Sequence, residues 1–109
     1  MQGASGLNIF AEPVRKALIA LCKKYRVRNL ALFGSSTDTT FDPARSDIDI
    51  LVEFEAMPPS EHMQNFFGLS EEMEKLFDRP VDLVEAASIR NPYVRLSIQK
   101  SRVELYAAA

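Results

Sequence analysis

The apolar positions of this chain fall into short blocks of two periodicities. Val14, Leu18, Leu21 and Cys22 recur at helical spacing, with Arg15, Lys16, Lys23 and Lys24 outside the stripe. Pro13 suits a first helical turn, so a helix is predicted over 12–25. Residues 29–33 form a short apolar run that stops at Gly34-Ser35, the pattern of a buried strand followed by a break. Residues 36–46 are rich in Ser, Thr, Asp and Pro and read as a loop with room for one helical turn. A second strand follows over 47–54. Its Ile48, Ile50 and Val52 point to one face, and Asp47, Asp49, Leu51 and Glu53 to the other. Pro58-Pro59 closes that region and Ser60 is placed to cap the next helix. That helix, over 61–77, carries Met63, Phe66, Phe67, Leu69, Met73, Leu76 and Phe77, with Gly68 weakening its middle. Asp78-Arg79-Pro80 is a turn and 81–85 a third strand. Asn91-Pro92 sets a capping residue before a first-turn proline, opening a helix over 91–101. Residues 103–106 fit a short last strand. The alternation predicts an α/β (α+β) fold, a small mixed sheet with helices packed on it.

Composition narrows the function classes. A length of 109 residues fits one compact domain, expected over 12–109 behind a flexible leader at 1–11. Apolar residues at 47% and charged residues at 26% are the balance of a soluble globular chain. The net charge of −2 disfavours a nucleic-acid partner, which needs a dense basic patch. No run approaches the about 20 apolar residues of a membrane span, and the first ten residues lack the basic and apolar regions of a signal peptide. Cys22 is the only cysteine and His62 the only histidine. A disulfide framework is therefore excluded within the chain, and a zinc site built from these residue types nearly so. Cys22 sits in an apolar helical stripe and reads as a buried thiol. These points suit the cytoplasm.

The acids on the strands change the picture. Asp47 and Asp49, at i and i+2, share one face of a strand. Two carboxylates so placed repel each other unless something positive compensates them. Asp82 repeats the logic inside Val81-Asp82-Leu83-Val84. Three aspartates from two neighbouring strands make an oxygen-rich set suited to Mg²⁺. Singly, each is more simply an edge acid or a salt-bridge partner. Gly34 lets a backbone approach a ligand closely, and Ser35 and Ser36 offer hydroxyls and N–H groups to a phosphate. An ordinary turn explains Gly34-Ser35 equally well when it is taken alone.

Taken together, Leu32-Phe33-Gly34-Ser35, an eleven-residue spacer and Asp47-Ile48-Asp49-Ile50-Leu51-Val52-Glu53-Phe54 resemble the minimal nucleotidyltransferase (MNT) domain. That family belongs to the polymerase-beta-like nucleotidyltransferase superfamily. The strand Pro80-Val81-Asp82-Leu83-Val84 resembles its third-carboxylate strand, and the likeness extends over about residues 12 to 107. The resemblance implies the nucleotidyltransferase fold, with Asp47 and Asp49 as paired metal ligands for Mg²⁺. Asp82 would be the third acid, on the metal or on the acceptor hydroxyl. Gly34, Ser35 and Ser36 would contact a nucleoside triphosphate, most often ATP. It also implies transfer of AMP to an acceptor hydroxyl, with a helical HEPN toxin as partner and acceptor and the chain as antitoxin. The chain departs from many members at Ser36-Thr37-Asp38-Thr39-Thr40, where an Arg-Gly is usual, and its spacer is one residue longer. The alternative is a binding module that neutralises a partner by contact, using a surface that includes Phe66, Phe67, Tyr93 and Tyr106. Core packing is the simpler account of those aromatics.

Overall fold

The computed structural model describes residues 11–33 and 48–108. The elements run α1 (Glu12–Lys24), β1 (Val27–Leu32), β2 (Ile48–Phe54), α2 (Pro59–Phe77), β3 (Val81–Glu85), α3 (Pro92–Ser101) and β4 (Val103–Ala107), with one 3₁₀ turn at Ala86–Ser88. The strands form one sheet in the order β3-β2-β1-β4. β1 pairs antiparallel with both β2 and β4, and β2 pairs parallel with β3 through the α2 crossover. No described helix is long and apolar enough to cross a membrane.

One sheet face carries the core. Leu30 and Leu32 of β1, Ile48, Ile50 and Val52 of β2, and Val81 and Leu83 of β3 meet Leu18 and Cys22 of α1 and Leu69, Met73 and Phe77 of α2. The strict alternation of β2 puts its three aliphatic residues on this face, as the sequence predicts, and sends Asp49, Leu51 and Glu53 to the other. Burial at about 25 cal/mol per Å² of apolar surface is what holds the helices on this side. Polar clamps fix how they sit. Tyr25 and Lys24 donate to Glu72 across α1 and α2, the latter at 2.8 Å. His62 of α2 lies 2.6 Å from Glu85 at the end of β3, with its ring beside Phe54.

Gly68 does not break α2. A Cβ there would stand 2.7 Å from Cε1 of Tyr25, so the missing side chain is the space the tyrosine ring fills. Ser60 is not a cap: α2 starts at Pro59, with Pro58 extended at its N-cap and no side-chain cap bond, so Ser60 lies inside the first turn. Asn91 does cap α3, its side chain accepting from the backbone N–H of Tyr93 at 2.9 Å and of Val94 at 3.4 Å. Among the four aromatics suggested for a contact surface, Phe66 and Tyr106 are partly buried against the core, whereas Phe67 and Tyr93 are exposed.

α3 connects β3 at one edge of the sheet to β4 at the other, crossing the face opposite the core. Only Ile98 of this helix is buried. Arg102 at its end donates to Asn29 of β1, which itself donates to Glu104 of β4 at 2.6 Å.

Candidate active site

Asp49 is the second residue of β2 and Asp82 the second of β3, and the parallel register pairs them directly. Hydrogen-bonded strands lie ~4.7–4.9 Å apart, so the two side chains leave the same face side by side. Backbone bonds hold both strand starts in place. Ile48 N–H donates to Pro80 carbonyl oxygen at 3.1 Å, and Phe33 N–H donates to that of Asp49 at 3.1 Å. Val81 N–H donates to Glu74 at 3.0 Å, which ties the start of β3 to α2. Asp49 is half-buried and Asp82, on the edge strand, is exposed.

The flanking apolar residues explain why acids sit here. Ile48, Ile50, Val81 and Leu83 face the core and fix each strand by burial. Alternation then delivers Asp49 and Asp82 to the open face together. Two carboxylates opposite each other destabilise a sheet unless a cation lies between them or nearby. Their oxygens are hard donors, the chemistry that Mg²⁺ takes, so the pair fits a divalent ion. Asp47, Gly34, Ser35 and Ser36 lie outside the described residues. Among the described residues no group of three or more His, Cys, Asp or Glu side chains converges for a metal.

Farther along the same face, α3 and the sheet border a half-open cavity of about 200 Å³ whose lining includes Leu51, Glu53, Ile89, Arg95, Ile98 and Gln99. Alternation along β2 signals Glu53 as sharing a face with Asp49. Nothing local in the sequence pairs it with α3. A charge bias was readable: Arg90, Arg95, Lys100 and Arg102 occur between Ala86 and Arg102 without an acid.

The nucleotidyltransferase domain family matches residues 14–105. A Methanocaldococcus jannaschii relative carrying the name "Putative protein adenylyltransferase" is 40% identical over 98 residues, covering 89% of this chain and 95% of its own length. A solved structure of a "putative minimal nucleotidyltransferase" superposes with a TM-score of 0.61 at 26% identity, covering 82% of this chain and 86% of that one. A complex of a tri-AMPylated Shewanella oneidensis HEPN toxin with MNT antitoxin superposes at 0.56 and 20% identity, covering 86% of this chain and 70% of that one. A matched segment that runs from the first turn of α1 into β4, together with the likeness in fold, establishes that the chain belongs to the nucleotidyltransferase domain family and has the minimal nucleotidyltransferase fold.

Proposed function

We propose that the chain transfers AMP from ATP to a hydroxyl of a partner protein, a HEPN-type toxin, and acts as its antitoxin. The observation that carries this reading is the in-register pairing of Asp49 with Asp82 on the open sheet face. The adenylyltransferase name of the archaeal relative and the AMPylated toxin in the complex support the same chemistry.

In this reading Asp47, Asp49 and Asp82 would hold Mg²⁺, and Gly34, Ser35 and Ser36 would receive the triphosphate. Bound Mg²⁺ would supply charge neutralisation on the phosphate oxygens. The acceptor oxygen forms a bond to the α-phosphorus while the bond from that phosphorus to the bridging oxygen breaks, and pyrophosphate leaves. The hydroxyl proton passes to Asp82, whose exposure on an edge strand lets an incoming protein segment reach it. Asp49, half-buried and held by the Phe33 and Pro80 backbone bonds at its strand end, keeps its place without reorganising.

The test is incubation with ATP labelled at the α-phosphate, Mg²⁺ and a HEPN partner, read by label on the partner. Transfer by the wild type and its loss in folded Asp49→Asn is the expected result. Neutralisation of the partner with no label transferred would favour the second reading, contact alone. One observation favours that second reading: Met63 and Phe67, at i and i+4 on α2, are 62% and 64% exposed and line one surface hollow with Phe66.

A further inference from the structure

The face that carries Asp49 and Asp82 runs, two residues on, into the cavity beneath α3. Leu51 is its floor and Ile98 its roof, with Ile89 beside them. Three polar side chains, Glu53, Arg95 and Gln99, also line it. Among the described residues none of these three enters a side-chain hydrogen bond or ion pair. The neighbouring Asn29, Arg102 and Glu104, by contrast, are bonded to one another. The cavity therefore combines a wall whose polar groups are bonded to one another with three exposed polar groups that have no protein partner among the described residues.

Its size and position say what fits. At about 200 Å³ it is below the ~300–1,000 Å³ of a site that encloses a whole small ligand. One flat ring system would fill it, with the rest of the ligand outside. Asp49 and Leu51 are i and i+2, ~6.5–7 Å apart along β2, a gap that a ribose and its 5′ carbon bridge. Phosphates held at Asp49 and Asp82 leave the nucleoside to run along β2 toward α3.

We propose that the cavity beneath α3 holds the nucleobase of the triphosphate, and that Glu53, Arg95 and Gln99 select adenine. This rests on the nucleotidyltransferase reading. The Glu53 carboxylate accepts from the exocyclic amino group. The Gln99 amide pairs with the ring edge. The Arg95 guanidinium lies against the π face, where a planar cation is attracted. A base that presents a carbonyl oxygen in place of the amino group sets two acceptors against each other at Glu53 and is rejected.

The test is calorimetric titration of the full chain with Mg-ATP, Mg-GTP and Mg-tripolyphosphate, the last lacking any base. The variants are Glu53→Gln, Arg95→Lys and Gln99→Ala, all of exposed residues, with thermal melts to verify folding. The expected wild-type preference for ATP over GTP is about tenfold, the scale of one well-placed polar contact. Arg95→Lys and Gln99→Ala should each weaken ATP by roughly tenfold and leave tripolyphosphate within about twofold, because stacking and edge contacts are lost while charge is kept. Glu53→Gln should narrow the gap between ATP and GTP. Unchanged ATP binding in all three variants overturns the proposal, as does equal weakening of ATP and tripolyphosphate. A wild type that binds tripolyphosphate and ATP alike sinks the base pocket alone. A wild type that binds neither sinks the nucleotidyltransferase reading, and this one with it.

Discussion

Asp82 stands on the outermost strand of the sheet, exposed and beside Asp49. Its Asp82→Asn variant separates chemistry from folding. AMP transfer should fall by about 10²-fold or more, the scale of losing one group that meets developing charge. Stability in urea should stay level or rise by up to about 0.5 kcal/mol, because an opposed like charge is removed from the ladder. A large loss of stability would show that Asp82 supports the fold instead. Cys22 gives the opposite case, a residue that is all structure. It is fully buried, and burial pushes its thiol from an ordinary 9.0 up to about 12. A thiol reagent should label it slowly in the native chain and at once in denaturant. The sign follows from the direction of the shift. Below pH 9.0 the thiol is protonated in both states and costs nothing. As pH rises from 9.0 toward about 12, only the unfolded chain ionises, so stability declines over that window. Urea melts across that range check it.

At the scale of elements, periodicity was enough to find every helix and strand described, because each buries one stripe or one alternate row. The ends were less legible. β1 starts at Val27 rather than Asn29 because Arg26 adopts a left-handed φ of 59° and turns the chain sharply out of α1. An arginine gives no sign of that in sequence. Its side chain instead reaches Glu55, just past β2, at 3.5 Å and Glu61 of α2 at 2.9 Å, contacts that exist only once the chain has folded back. The 3₁₀ turn at Ala86–Ser88 was missed for a similar reason, since Ser88 closes it by donating to the Glu85 carbonyl. Gly68 shows how a local rule misleads. Propensity alone says that Gly68→Ala gains about 1 kcal/mol. The new methyl would drive Tyr25 off its seat and away from Glu72, the acceptor that ties it to α2. Gly68→Ala should therefore destabilise the protein by roughly 1 kcal/mol, and Tyr25→Phe should absorb part of the penalty of a second mutation. A double-mutant cycle measures that coupling.

The molecule as a whole divides its sheet between two tasks. One face is spent on the core with α1 and α2. The other is left to two acids and a loosely covered cavity. The acids were legible because alternation is a local rule. The cavity was not, because its lining depends on α3 crossing from one sheet edge to the other, a matter of strand order. Asp47 and the Gly34-Ser35-Ser36 segment fall outside the described residues, so their part in the site stands on sequence and family alone. The proposed metal site predicts a linkage at this scale. Mg-ATP should raise the melting temperature of the wild type, by up to about 2.7 kcal/mol of added stability at a hundredfold excess over Kd. EDTA should reverse the gain, and Asp49→Asn should show none.

The sheet order has a consequence for how the chain is made. β1 is a central strand, and its partner on one side is β4, whose pairing reaches Ala107 and is closed by Ala108 donating to Arg28 at 2.9 Å. Synthesis runs from β1 to β4, so one edge of β1 stays unpaired while α2, β3 and α3 are being added. During that interval a nascent chain displays an open strand edge beside its buried aliphatic row, the feature that invites pairing with another molecule. The five-residue strand β4 thus acts as the closure of the edge that β1 leaves open.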